Sequence, residues 1–160
     1  MNQEITRIRT EQRPQSRPRS VAEPPAPVRQ FSVQLSATRR GARLGRLLVT
    51  EQLRSWGLPF EAAAQIVAEL AANAALHGCV PGRDFRIVVT VTAADTGEDT
   101  LRIEAIDTRG ERLPDVRRSP SPDDESGRGL LMVAALADRW GVTTGPPPRK
   151  TVWAELTPTW

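Results

Sequence analysis

Apolar residues recur at helical spacing in two consecutive stretches of the chain. In residues 38–56, leucines and a valine return every three or four positions among arginines, until Gly57 and Pro59 end the pattern. A second run covers residues 60–76 and stops at Gly78. The pattern predicts two helices that follow each other directly along the chain.

Five shorter segments alternate between apolar and polar residues, which predicts β-strands. They are residues 31–35, 85–93, 100–107, 140–144 and 151–156. The first strand is expected at an edge of the sheet. The turn-rich residues between the second and third strands indicate a hairpin.

Residues 111–126 follow neither period and are rich in proline, serine and charged residues, which predicts a long loop that forms a lid or an insertion. Gly127-Arg128-Gly129 then opens an apolar helix over residues 130–137. The first turn of a helix offers unpaired backbone N–H groups to an anion, and glycine lets a ligand approach the backbone closely.

The predicted order of elements is β, α, α, β, β, loop, α, β, β. Grouped helices over paired strands favour a two-layer α+β sandwich over a parallel doubly wound sheet. We expect a mixed, mainly antiparallel sheet covered on one face by helices. Residues 31–160 are predicted to form this single domain, and residues 1–30 a disordered tail rich in arginine and proline.

The net charge of the chain is concentrated in the predicted tail. Residues 1–30 hold six arginines and three glutamates, so the tail carries the whole formal net charge of +3. The predicted domain is therefore neutral, which argues against a basic nucleic-acid-binding surface on it. The tail could contact a nucleic acid or an acidic partner, but a solubilising extension is the simpler interpretation.

No segment has the apolar run of a signal peptide or of a membrane span, so a soluble protein is expected. The chain contains a single cysteine, Cys79, and a single histidine, His77. These counts exclude an internal disulfide and argue against a structural zinc site. Both features suit a reducing cytoplasm.

Three polar residues lie four positions apart in the second predicted helix. Glu69, Asn73 and His77 follow one edge of it, because each four-residue step turns only about 40° around the axis. The neighbouring stripe, which includes Leu70, is apolar. Such an edge is either solvated surface or the wall of a pocket, where the polar groups meet a ligand, a metal or water.

A carboxylate is expected on the buried face of the third strand. Leu101, Ile103 and Ala105 share one face, and the period of two puts Asp107 on the same face. An unpartnered buried charge is costly. Either the strand ends before Asp107 and turns it to water, or a hydrogen-bond donor faces it.

Three segments together resemble the GHKL-type ATP-binding fold, the Bergerat-type fold that histidine kinases, gyrase-type topoisomerases and Hsp90-type chaperones share. ELAANAALHG (residues 69–78) resembles the N box, IDTRGERLP (residues 106–114) the first glycine box, and GRGL (residues 127–130) the second. The likeness extends over residues 31–157. In particular, the chain is similar to small bacterial anti-sigma-factor serine kinases and their actinobacterial relatives.

The resemblance implies ATP and Mg²⁺ as ligands and gives the polar edge its roles. Glu69 would be the general base that prepares a hydroxyl for attack on the γ-phosphate. Asn73 would help to hold Mg²⁺ against the phosphates, since this cation prefers oxygen ligands. His77 would cap the helix end or fix the lid, which is residues 111–126.

The resemblance also implies the nucleotide contacts. Asp107 would accept a hydrogen bond from the adenine amino group, which would supply the donor that its buried position demands, and Thr151 would assist. The family pattern has glycine two residues after the aspartate, whereas here Arg109 fills that position and the nucleotide-binding glycine follows at Gly110. The expected phosphate-binding residues are Gly127, Arg128, Gly129 and Leu130.

The implied function is an ATP-dependent serine/threonine kinase of the anti-sigma-factor type. Its partners would be a sigma factor and an anti-anti-sigma-type antagonist protein, and a homodimer stays open. One alternative is a non-catalytic module in which nucleotide only sets the conformation that grips a partner, which Arg109 favours. Another is a nucleic-acid-associated protein that acts through the arginine-rich tail.

Overall fold

The computed structural model describes residues 27–77, 83–93, 97–107, 125–145 and 149–159, and at residues 27, 28, 77 and 125–127 it describes the backbone alone. Within these residues the elements are β1 (Pro27–Ser36), α1 (Arg39–Ser55), α2 (Glu61–His77), β2 (Asp84–Ala93), β3 (Asp99–Asp107), α3 (Glu125–Leu136), β4 (Arg139–Thr144) and β5 (Lys150–Leu156). This is the predicted order, and the α+β fold is confirmed.

One layer is a five-stranded sheet in the order β1-β2-β3-β5-β4, with β1 at an edge as predicted. All four pairings between the described strands are antiparallel. The sheet is therefore antiparallel throughout these strands, whereas a mixed, mainly antiparallel sheet was expected. The cause is that β5 returns from the edge strand β4 and fits between β4 and β3, antiparallel to both.

The second layer is formed by the three helices, with α2 in the middle. It packs against α1 on one side and α3 on the other, and it also contacts β2, β3 and β5. Small side chains allow this close approach on several sides. The buried apolar residues of α2 are Ala63, Ala64, Ile66, Val67, Leu70, Ala71, Ala74 and Ala75.

The inner face of the sheet, which the helices cover, supplies the rest of the core. Its residues alternate with half-buried or exposed residues on the outer face, as the two-residue period of a strand requires. The largest fully buried side chains of the sheet are Phe85, Ile87, Val89, Val91, Leu101, Ile103 and Lys150. One of them is a lysine, and it lies in the candidate site.

The turn between β1 and α1 is tight. The side-chain oxygen of Thr38 caps α1 by accepting a hydrogen bond from the backbone N–H of Gly41, at 3.0 Å. A Cβ atom at Gly41 would overlap the carbonyl oxygen of Ser36, so glycine allows the helix to start directly beside the strand. Beyond the other end of α1, Gly57 takes the left-handed conformation with a φ of 69°.

Two boundaries of the predicted domain differ from expectation. β1 begins at Pro27, so residues 27–30 form part of the edge strand and not of the tail. α3 begins at Glu125, in a segment whose charge and serine content predicted loop. The remaining residues of the predicted tail and lid, 1–26 and 111–124, lie outside the described residues. No helix within the described part of the chain is long and apolar enough to cross a membrane.

Candidate functional site

The polar edge of α2 is not a solvated surface. Asn73 is only 9% exposed and Glu69 is half-buried, beside the fully buried Leu70. Polar groups in such a position need partners, which favours the pocket-wall interpretation of this edge. The side chain of His77, the third residue of the edge, lies outside the described part, and its role stays a prediction.

Glu69 contacts α3 at a glycine. A Cβ atom at Gly129 would overlap the carboxylate oxygen Oε2 of Glu69. The absence of a side chain at Gly129 therefore lets the Glu69 carboxylate rest directly on the backbone of α3. The first and last of the three sequence motifs are brought together at this contact.

The second glycine motif lies inside α3 and not in front of it. Because α3 begins at Glu125, Gly127 belongs to the first turn, whose N–H groups have no intrahelical acceptor. Gly129 and Leu130 lie in the second turn, where N–H groups bond within the helix. The side chain of Leu130 is buried in the core, and that of Arg128 is exposed. Of Gly127, Gly129 and Leu130, only Gly127 thus has a backbone N–H group without an intrahelical acceptor.

Asp107 is the last residue of β3 and lies on the inner face of the sheet, 4% exposed. The strand does not turn it to water, so the first of the two expectations for this residue is wrong. A positive charge faces it instead: Lys150 Nζ forms an ion pair with Asp107 Oδ2 at 3.5 Å. Lys150 is itself only 2% exposed, and the two residues are direct cross-strand neighbours at the ends of β3 and β5.

Lys150 was not predicted as a site residue. The last strand was expected to start at Thr151, and a lysine just after a proline-rich turn is typical of exposed surface. The signal was nevertheless present, because Val152 and Ala154 have the same parity as Lys150 and are buried. Extending the strand by one residue would have put the lysine on the inner face.

The remaining predicted residues have different placements. Thr151 alternates with Lys150 and so lies towards the outer face, opposite to Asp107. Gly110 and Arg109 lie outside the described residues. A cavity of about 160 Å³ borders Asp107 and has Phe85 and Ile106 in its lining. Gln34, Arg86 and Ile106 of this lining lie on the outer face, and the Asp107 side chain itself stays buried.

The described residues contain no group of three or more His, Cys, Asp or Glu side chains that could hold a metal ion by themselves. Asn73 supplies an amide oxygen, and Mg²⁺ in nucleotide sites commonly takes one or two protein ligands and completes its shell with phosphate oxygens and water. The donor set thus fits a cation that arrives with a nucleotide.

Charged residues on the outer face of β3, β4 and β5 form a second, separate cluster. Arg102 Nη1 donates to Glu155 Oε1 at 2.7 Å, and Arg139 Nη2 donates to Glu155 Oε2 at 2.5 Å. The Arg102 guanidinium also lies 4.3 Å from the ring centroid of Trp153 and 3.1 Å from Glu104. Burial raises the pKa of the Glu155 carboxyl, but the hydrogen bonds and charges of the two arginines outweigh this and leave the pKa lowered. We call these five residues the outer-face cluster.

We call Glu69, Asn73, Asp107 and Lys150 the inner-face site. The fold, together with this site, is that of an ATPase-type domain of the GHKL class. Residues 35–155 match the family described as the histidine kinase-like ATPase domain, and the chain belongs to this family. The predicted family is confirmed.

One similar solved structure contains the RsbU and RsbW domains of Rv1364c from Mycobacterium tuberculosis. The TM-score is 0.53 and the sequence identity 25%, over 82% of this chain. The match covers 33% of the other chain, so this chain spans about a third of that structure's length. A comparison with functionally curated proteins finds no match.

Proposed function

We propose that the protein is an ATP- and Mg²⁺-dependent regulatory kinase that phosphorylates a serine or threonine of an antagonist protein and sequesters a sigma factor. The contact between Glu69 and the backbone of α3 at Gly129 carries this proposal. It holds a carboxylate against the helix whose first turn is the proposed phosphate site. A general base is required there for transfer to a hydroxyl, and a binding module has no chemical need of one.

Three of the four residues of the inner-face site have a task in this reaction. Asp107 accepts a hydrogen bond from the adenine amino group, and backbone N–H groups near Gly127 bind the phosphates. Glu69 takes the proton of the substrate hydroxyl while the oxygen of that hydroxyl attacks the γ-phosphorus. The bond between the γ-phosphorus and the bridging oxygen breaks, and ADP leaves with its electrons. Asn73 contributes a ligand to Mg²⁺, which when bound neutralises phosphate charge. Gly110 and Arg128 remain predicted nucleotide neighbours, whereas Thr151 lies towards the outer face and the Leu130 side chain in the core, so neither is given a task.

The exposed face of α1 supports a role in protein binding. Leu44, Leu47 and Leu48 are 45%, 57% and 36% exposed and lie together on one helix. Arg39 and Arg43 line the same region, beside a cavity of about 580 Å³. Contiguous exposed apolar residues mark interaction sites more often than inert surface. A sigma factor with an acidic and apolar contact surface would be complementary to this face.

Calorimetric titration of the protein with ATP, with and without Mg²⁺, tests nucleotide binding. Mg²⁺-dependent binding in the micromolar range is expected for the wild type, with loss of binding in Asp107→Ala. Transfer is tested by incubating the protein with γ-labelled ATP and a purified anti-anti-sigma-type protein. Glu69→Ala should abolish labelling yet keep ATP binding, because the carboxylate is required for proton removal and not for affinity.

The outcomes separate this proposal from its alternatives. Loss of both labelling and ATP binding in Glu69→Ala would assign Glu69 a structural role. Mg²⁺–ATP binding that changes partner affinity without labelling would favour the non-catalytic switch. The absence of binding at millimolar ATP would leave a protein-binding scaffold, and the kinase would be rejected.

A further inference from the structure

We propose that Lys150 is a positioning residue for base recognition, which acts through Asp107 and makes binding selective for the exocyclic amino group of the purine. This inference rests on the proposed nucleotide site and assigns that site a residue that the sequence motifs do not contain. Lys150 Nζ lies 3.5 Å from Asp107 Oδ2, and both side chains are almost fully buried.

Burial is the reason why the partner matters. A carboxylate removed from water without a nearby positive charge tends to take up a proton and become neutral. An ionised carboxylate accepts hydrogen bonds about twice as strong as those of a neutral acceptor. By lying beside Asp107, the Lys150 ammonium keeps this carboxylate charged in a buried position and therefore keeps it a strong acceptor for an N–H donor of the ligand.

The location of the pair argues against a purely structural role. Asp107 is the last residue of β3 and Lys150 the first residue of β5, so the pair lies at the end of the two strands and not in the middle of the sheet. Deeper in the same sheet, the facing inner residues are apolar, such as Ala105 with Val152 and Ile103 with Ala154. Two apolar residues would serve the fold equally well, because a buried ion pair adds little net stability.

The test compares two ligands and two variants by calorimetry in the full-length protein. The ligands are ATP and purine riboside triphosphate, which lacks only the amino group on the base. The variants are Lys150→Met, which keeps an unbranched side chain of nearly the same length but removes its charge, and Arg149→Met. Arg149 is exposed, adjacent in sequence and part of the lining of the cavity that borders Asp107, so its replacement removes the same formal charge beside the site while both members of the buried pair remain.

For Lys150→Met we expect the affinity for ATP to fall about tenfold, the difference between a charged and a neutral acceptor. The affinity for purine riboside triphosphate should change by less than about twofold, since that ligand has no amino group from which Asp107 could accept a hydrogen bond. Arg149→Met should weaken binding of both ligands by the same small factor, because a guanidinium can only donate hydrogen bonds and the two ligands differ only in a donor group.

Equal loss of affinity for both ligands in Lys150→Met, or no loss at all, would overturn the inference while leaving the proposed nucleotide site intact. Failure of the wild type to bind ATP would reject the proposed function and the inference together. Partial unfolding of a variant would lower its apparent affinities for ATP and for purine riboside triphosphate by the same factor. The ratio of these two affinities therefore reports base recognition and not stability. If Lys150→Met does not fold, Lys150→Gln provides the same ratio with a polar neutral side chain.

Discussion

Strands β3 and β5 carry charged residues on both faces, and the two sets are built differently. On the outer face, Glu155 accepts short hydrogen bonds from Arg102 and Arg139, and all three residues keep some contact with solvent. On the inner face, Asp107 and Lys150 lie 3.5 Å apart with almost no exposure. The same two strands thus hold a half-exposed network and a buried pair.

The difference shows which of the two sets the fold needs. Charges that remain partly hydrated lose little solvation when they pair, so the outer-face cluster gives a modest stabilisation at small cost. Each member of a buried pair loses most of its hydration energy, and only the attraction of its partner compensates for this loss. The net stabilisation by the pair is therefore near zero, whereas removal of one member alone is strongly destabilising. We infer that the outer-face cluster holds β3, β4 and β5 together and that the buried pair serves the site.

The largest expected effect follows from breaking the buried pair. Asp107→Asn leaves the Lys150 ammonium buried without its partner carboxylate and should lower the free energy of unfolding by about 3–5 kcal/mol. The double variant Asp107→Asn, Lys150→Met removes both charges and should recover most of that loss. Chemical denaturation of the wild type, both single variants and the double variant measures the coupling. Additive effects of the two substitutions would show that the pair is not energetically coupled.

Two glycines offer a matched test of the two faces. A Cβ atom added to Gly129 would overlap the Glu69 carboxylate. A Cβ atom added to Gly141 would lie 2.9 Å from Trp153 Cζ2. Overpacking costs about 1–3 kcal/mol, and in helix α3 the higher helix propensity of alanine offsets about 0.5–1 kcal/mol of it. Gly129→Ala should therefore displace Glu69 and reduce phosphoryl transfer, whereas Gly141→Ala should lower stability alone.

Thermal unfolding and the labelling assay together measure this contrast. The expected pattern is a larger loss of stability for Gly141→Ala and a larger loss of transfer for Gly129→Ala. The reverse pattern would mean that the Glu69 carboxylate is not required where it lies. Equal loss of transfer in both variants would show that the assay responds to stability and not to the site.

A smaller effect is expected from Arg102→Met on the outer face. This substitution removes the contacts to Glu155, Glu104 and the Trp153 ring, and it should lower the free energy of unfolding by about 1 kcal/mol with unchanged ATP affinity. Arg54→Met is the control: Arg54 also pairs with a carboxylate, at 2.6 Å from Glu51, and lies over the Phe60 ring, but that pair is more exposed. Denaturation should show a smaller loss for Arg54→Met. An equal loss would indicate that exposure does not decide the value of these contacts.

The sequence was sufficient for the order of the elements because periodicity and turn residues are local signals. The same holds for Glu69, Asn73 and Asp107, whose positions follow from the helical and strand periods. Strand pairing is not local. The pairings of β5 depend on its return between β3 and β4, and no single segment encodes that choice.

The partner of Asp107 could not be found for a related reason. Lysines lie on the surface in most proteins, so the residue type gives no sign of burial. Only the register of β5 against β3 brings Lys150 beside Asp107. The contact between Glu69 and Gly129 likewise depends on how α2 packs against α3. The motifs indicated that both residues matter, but the distance between them is a tertiary property.

The smallest expected effect is a pH dependence confined to the outer-face cluster. The pKa of Glu155 is lowered in the folded protein because the hydrogen bonds and charges of Arg102 and Arg139 outweigh the effect of burial. A carboxyl whose folded pKa is depressed stabilises the fold above its unfolded pKa of about 4.3, and this contribution is lost as the pH falls through the folded value.

We expect the difference in unfolding free energy between the wild type and Glu155→Gln to be under about 1 kcal/mol at pH 7 and to shrink below about pH 4. Subtracting the variant cancels the contributions of the other titratable groups. A difference that stays constant from pH 7 to pH 3 would mean that the arginines hold Glu155 by geometry and not by charge, and the contrast between the two faces would then rest on burial alone.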